Sequence, residues 1–149
     1  MTIEGGNGYR LWQDALLYEV SARLSPDLVI QAVESTGRLS DARVLALNSY
    51  ENRVYQVGID DDTPVIAKFY RPGRWSDAQL REEHTFTREL AAAELPVVAP
   101  IADAKGETLF TFGDYRFALF PRKCGQAPEP GDLDQLHRIG MLLGRLHAV

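Results

Sequence analysis

The chain has 149 residues, 45% of hydrophobic type and 25% charged, which excludes disordered, collagen-like and fibrous classes and leaves room for one domain with a true core. Twenty-one acidic against sixteen basic residues give a formal charge of −5, so no general attraction for nucleic acid or an anionic membrane is expected, although a small basic pocket for one nucleotide is compatible with it. Cys124 is the single cysteine, which excludes an internal disulfide and a cysteine-based zinc cluster.

Met1 to Gly8 reads as a loose tail without the basic and apolar regions of a signal peptide. The apolar runs, such as Val65 to Ala67 and Phe117 to Pro121, are too short to span a bilayer, and a cytoplasmic location is expected. Leu11 to Leu24 has helical spacing in Leu11, Ala15, Leu16 and Val20. Ser25-Pro26-Asp27 opens a second helix, because serine caps, proline sits where its missing N–H costs nothing, and an acid stands in the first turn. Leu28, Ala32 and Val33 form its apolar stripe and Gly37 its stop.

From Arg43 the pattern turns extended. Val44 to Leu47 and Val54 to Val57 read as strands joined by the six residues Asn48 to Arg53. A third strand, Val65 to Tyr70, follows a turn built from Asp60, Asp61, Asp62 and Pro64. Ser76 with Gln79 makes a capping box that starts a helix running to about Ala93. Thr108 to Phe112 and Tyr115 to Phe120 form a hairpin across Gly113-Asp114, and a loop follows from Pro121 to Gly131. Asp132 caps a last helix with Leu136, Ile139, Leu143 and Leu146 on one face. The order predicts an α+β fold with a mostly antiparallel sheet of about five strands and a helix packed on it.

Two charged residues stand out of this pattern. Lys68 lies in a strand that is apolar on both sides of the pleat: Val65, Ala67 and Phe69 point one way, Ile66, Lys68 and Tyr70 the other. Either its stem packs while the ammonium reaches water, or the ammonium meets an anion. On the helix after the capping box, Leu80, Ala91, Leu90, Phe86 and Ala93 define an apolar stripe centred near 290° from Leu80, and Glu83 falls at about 300°, inside it. One odd cation and one odd anion, on adjacent elements, make pairing of Lys68 with Glu83 the favoured reading. Protein kinases place such a lysine and glutamate on the third strand and following helix, where the lysine holds nucleotide phosphates and the glutamate orients it. The 48–53 loop contains no glycine, so it is not a G-x-G-x-x-G loop, but Asn48, Ser49 and Asn52 offer hydroxyl and amide donors.

The stretches Leu47-Asn48-Ser49-Tyr50-Glu51-Asn52-Arg53-Val54-Tyr55-Gln56, Lys68-Phe69-Tyr70-Arg71-Pro72, Arg74-Trp75 and Glu82-Glu83-His84 resemble the bacterial stress response kinase A family, within the aminoglycoside-phosphotransferase and choline-kinase group of kinase-like folds. Leu95 to Pro100, Phe117 to Pro121 and Leu143 to His147 extend the likeness, which covers roughly Ser25 to His147. The resemblance implies the N-terminal lobe of an ATP-dependent serine/threonine protein kinase, with 1–24 as an extension and 25–149 as the nucleotide-binding lobe, its hinge and the first helix of a further lobe. It also implies Ser49 over the ATP phosphates, Lys68 as the phosphate-binding lysine, Glu83 as its partner, and Pro121-Arg122-Lys123 as the hinge behind adenine with Phe120 at its inner end. Proline has only a carbonyl to offer, so the hinge N–H would come from Lys123.

Kinase chemistry also needs an aspartate beside the acceptor hydroxyl and an Asn and Asp on Mg²⁺. None of His84, His137 and His147 is followed two residues later by an aspartate, and in the family these groups belong to a second, helical lobe. His137 and His147 are ten residues apart, about 280° net around a helix, which is poor metal-ligand geometry, so no metal site is expected from them. This piece alone is expected to be inactive and to self-associate through an apolar base. Two alternatives share all these residues: a small-molecule kinase acting on an amino alcohol, homoserine or an aminoglycoside, and a non-catalytic regulatory module.

Overall fold

Ser25 opens the first helix of the computed structural model, which describes residues 24–149. Its hydroxyl accepts the Leu28 N–H at 3.2 Å and Pro26 follows, so the exposed donors of the helix start are answered locally. This helix, α1, runs Pro26–Glu34 and buries Val29, Ala32 and Val33, while Leu28 of the predicted stripe is only half-buried. Gly37 takes φ 87° just beyond it, a left-handed conformation that glycine adopts without strain. The helix read over 11–24 lies outside the described residues except for Leu24, which is buried in the core.

Five strands follow: β1 Ser40–Leu47, β2 Arg53–Ile59, β3 Asp62–Phe69, β4 Phe110–Phe112 and β5 Tyr115–Pro121. They form one sheet in the order β1-β2-β3-β5-β4, and every neighbouring pair is antiparallel. The first three are longer than the hydrophobic alternation predicts, because Ser40, Arg53, Asp62 and Thr63 join the ladder although polar. In β1 the register shifts between Ser40 and Val44, with Ala42 at φ 65°. This irregularity lays the Asp41 carboxylate over Gly58, where no Cβ would fit. β4 is shorter than the predicted Thr108 to Phe112, since buried Thr108 and Leu109 precede the ladder.

The sheet is covered on both faces by different elements. Val57, Val65, Ala67, Phe69, Phe117 and Leu119 share one core with Val29, Ala32 and Val33 of α1. Tyr70 and Ala118, with Leu109 and the edge of Phe120, pack on Leu80 of a second helix, α2, which runs Asp77–Ala92. The predicted capping box is present: the Ser76 hydroxyl accepts the Gln79 N–H at 3.3 Å and the Gln79 side chain accepts the Ser76 N–H at 2.9 Å.

Asp132 caps the last helix, α3, Leu133–Leu146, through the Asp134 and Gln135 N–H groups at 3.0 Å. No residue of α3 is buried: Leu136 and Leu143 of its predicted apolar face are exposed and Ile139 and Leu146 half-buried. Its Arg145 guanidinium donates to the Glu94 carbonyl just beyond α2 at 3.0 Å. Among the described residues no helix is long and apolar enough to cross a membrane.

Candidate active site

Antiparallel pairing builds the site around Lys68. On β3 it stands opposite Val54 of β2 and Ala118 of β5, and residues directly opposite share a face of the sheet. The same register puts Leu45 and Leu47 of β1, Val54 and Gln56 of β2, Ile66 of β3 and Phe120 of β5 on that face. α2 covers only the part of it near Tyr70 and Ala118, so an apolar stretch with Leu45 and Leu47 exposed continues beyond the lysine. Composition could not reveal this stretch, because it arises from alternate residues of four strands.

The Lys68 ammonium lies 3.5 Å from Glu83 Oε1 of α2, 4.9 Å from the centre of the Tyr70 ring and 5.9 Å from that of Phe120. The lysine side chain is 25% exposed, with its ammonium over the two aromatic rings. Glu83, expected inside the apolar stripe of α2, is 56% exposed instead. The residues of α2 that are buried are Leu80, His84 and Leu90, whereas Phe86, Ala91 and Ala93 of the predicted stripe are exposed. The inward face is turned toward His84, at about 40° from Leu80, and a stripe drawn from apolar residues alone misplaces it. Glu83 occupies the shoulder of that face and reaches Lys68 from the rim.

His84 was notable in the sequence only as part of Glu82-Glu83-His84. In the fold it is almost wholly buried, with Nε2 2.6 Å from Tyr70 Oη and Nδ1 2.8 Å from Thr108 Oγ1. Burial holds its imidazole below the ordinary histidine value, with Glu83 favouring the proton and Lys68 opposing it. The Tyr70 hydroxyl is pushed well up by burial, and then by the Glu83 carboxylate. The unfolded chain therefore protonates His84 more readily than the fold does. Stability from this group is complete above about pH 6.5, falls as pH drops below that value and levels off beneath the depressed folded-state value. Urea midpoints measured between about pH 7.5 and about pH 5.5 are expected to fall in the wild type, and to fall less in His84→Gln; equal falls would contradict the assignment.

The 48–53 loop is tethered rather than free. Asn52 Oδ1 accepts the Arg71 N–H at 3.4 Å, and Glu51 pairs with Arg74 at 2.7 Å, so both bonds join it to the turn that follows β3. Asn52, expected as a donor over the phosphates, uses its carbonyl oxygen here and keeps its amide hydrogens. Asn48, Ser49 and Tyr50 are exposed at the tip. At the other end of the site Phe120 is half-buried, Pro121 closes β5 opposite Val65, and Lys123 is exposed in the loop beyond. Among the described residues no three His, Cys, Asp or Glu side chains converge to hold a metal ion, so none of them is assigned that role.

Residues 43–149 match the family model of the phosphotransferase enzyme family. The chain belongs to this family. The chain is 44% identical over 124 residues to "Serine/threonine protein kinase RdoA" of Salmonella typhimurium, covering 83% of this chain and 38% of that protein. It is 42% identical over 124 residues, with the same coverage, to "Stress response kinase A" of Escherichia coli. The chain thus spans 38% of the length of these curated relatives. Among solved structures, the amicoumacin kinase hAmiN in complex with AMP-PNP, Ca²⁺ and Ami shares the fold, with a TM-score of 0.75 and 21% identity over 88% of this chain and 41% of that one. The five-stranded antiparallel sheet with its packed helix is therefore the N-terminal lobe of a kinase-like phosphotransferase.

Proposed function

We propose that this chain is the nucleotide-binding lobe of an ATP-dependent kinase of the stress response type, which transfers the γ-phosphate of ATP to a serine or threonine hydroxyl of a protein. The observation that carries this reading is the Lys68–Glu83 pair, 3.5 Å apart and bridging β3 to α2. It stands next to an open apolar sheet face, and the combination suits a nucleotide: the face takes the base and the ammonium takes the phosphates.

In this reading Lys68 binds phosphate oxygens as a compact point charge and Glu83 keeps the ammonium turned toward them. Ser49 and Asn48 at the loop tip, and the amide hydrogens of Asn52, add neutral donors over the same oxygens. Leu45, Leu47, Val54 and Ile66 receive the base, with Phe120 at the inner end. The Pro121 carbonyl and the Lys123 N–H meet its polar edge. A bound Mg²⁺ neutralises charge on the phosphates as it develops; its ligands and the aspartate that takes the acceptor proton belong, on this proposal, to the remainder of a longer kinase.

The identity to a named serine/threonine protein kinase over 83% of the chain supports a protein acceptor. The fold shared with amicoumacin kinase favours a second reading, a small-molecule alcohol as acceptor. A protein extending to the full length of the curated relatives, incubated with γ-labelled ATP, a generic protein acceptor and a panel of amino alcohols, decides between them. Label on protein serine or threonine is expected. Label on a small alcohol with none on protein overturns the first reading, and no transfer to either overturns both.

A further inference from the structure

The Lys68–Glu83 pair is too open to hold itself together. Glu83 is more than half exposed, and an ion pair in that setting contributes at most about 1 kcal/mol, too little to fix how α2 is rotated against the sheet. The neighbouring residue is placed far more firmly. His84 is 2% exposed and its two ring nitrogens reach two different segments, Tyr70 just after β3 and Thr108 before β4. Two bonds diverging from a rigid ring fix its position and its rotation, and through them the helix backbone that carries it.

Both anchor points bear on the lysine. Tyr70 follows Lys68 by two residues and lies on the same face, with its ring 4.9 Å from the ammonium. The bond from Tyr70 to His84 therefore ties α2 to the patch of sheet on which Lys68 rests. Glu83 precedes His84 by one residue, about 100° around the helix, so a turn or withdrawal of α2 at His84 carries the Glu83 carboxylate away from Lys68. A neutral imidazole accepts at one nitrogen and donates at the other, and the Tyr70 and Thr108 hydroxyls can each take either part. The three groups satisfy one another and leave no buried side-chain donor or acceptor unpaired among the described residues.

We propose that His84, held by Tyr70 and Thr108, is a positioning residue for phosphoryl transfer, setting Glu83 against Lys68. The proposal rests on the kinase reading of that pair. His84 touches neither nucleotide nor acceptor, so its effect must pass through Glu83, and this route can be tested.

The test is a double-mutant cycle in a kinase extending to the full length of the curated relatives, with kcat and the KM for ATP measured alongside the thermal midpoint. Tyr70→Phe keeps the ring beneath Lys68 and removes only the hydroxyl. It is expected to lower kcat about ten-fold on its own and less than about two-fold when Glu83→Gln is already present, because neighbours that act as a unit are not additive. His84→Gln, whose amide can still bond to the tyrosine, is expected to retain more kcat than His84→Ala. Should His84→Ala fail to fold, the Tyr70–Glu83 cycle alone decides. Additive losses, or an unchanged kcat in Tyr70→Phe, overturn the proposal while the kinase reading stands. An unchanged kcat in Glu83→Gln overturns both.

Discussion

Replacing Lys68 by alanine in the complete kinase is expected to lower kcat/KM for ATP by about 10²–10³-fold, the loss typical when one preorganised charge or donor is removed from a reacting oxyanion. The thermal midpoint should move little. The side chain is already a quarter exposed and its ion pair reaches a carboxylate that is mostly in water, so stability depends on it weakly. On the proposed function catalysis depends on it strongly, because the other two lysines stand elsewhere: Lys105 lies in an exposed turn and Lys123 in the exposed loop after β5. Lys68→Arg is not expected to restore the rate, since a planar fork held against Tyr70 and Phe120 cannot occupy the place of a compact ammonium. Rate and midpoint measured on the same preparation separate the two effects. A folded Lys68→Ala protein that kept more than about a tenth of the wild-type rate would contradict the assignment.

The contrast between strong catalytic and weak structural dependence also explains which parts of the site could be read in the chain. Lys68 was legible because an ammonium in an apolar strand is an anomaly wherever the strand ends up. Glu83 was legible as its partner, though for a partly mistaken reason: it is a rim residue, not a buried one. The error came from letting apolar residues alone define the inner face of α2. Phe86 was counted inward and is 46% exposed, while His84, a polar type, is the residue that enters the core. Its angle beside Leu80 was in the sequence, but its partners were not. Thr108 lies 24 positions away, and only the packing of α2 over β3 and β5 brings the two together.

The strands show the same limit from another side. Val44 to Leu47 and Val54 to Val57 were readable from alternation, but the extension of β1 was not, because Asp41 and Arg43 bond to each other at an irregular point that breaks the period of two. The α1 start, the capping box of α2 and the Gly113 turn were all legible, since each depends on neighbours a few residues apart. Apart from that local irregularity, what the chain concealed was contact between elements distant in sequence. The open apolar face with Leu45, Leu47, Val54 and Ile66 belongs to that class, and it supplies the part of the nucleotide proposal that no single motif carries.

On the opposite face of the sheet, Phe117→Ala is expected to destabilise the fold by about 3–5 kcal/mol, the usual cost of deleting a fully buried phenyl ring. Phe117 has no exposed surface. It stands in register with Phe69 of β3 on one side and Phe110 of β4 on the other, with ring centres 5.2 and 5.5 Å away. No neighbouring side chain is free to fill the gap, because Phe69 is itself fixed by edge contacts with Tyr55 and Tyr115 at 6.0 and 6.3 Å. Against a total stability on the order of 5–15 kcal/mol, a loss of this size removes about a fifth of the margin or more. Phe86→Ala, at a half-exposed ring on the outer side of α2, is the control and should cost well under half as much. Urea unfolding of both variants at one pH gives the comparison. Equal midpoints would mean that the aromatic row across β3, β5 and β4 is not the core holding the sheet together, and that the platform behind Lys68 must be anchored some other way.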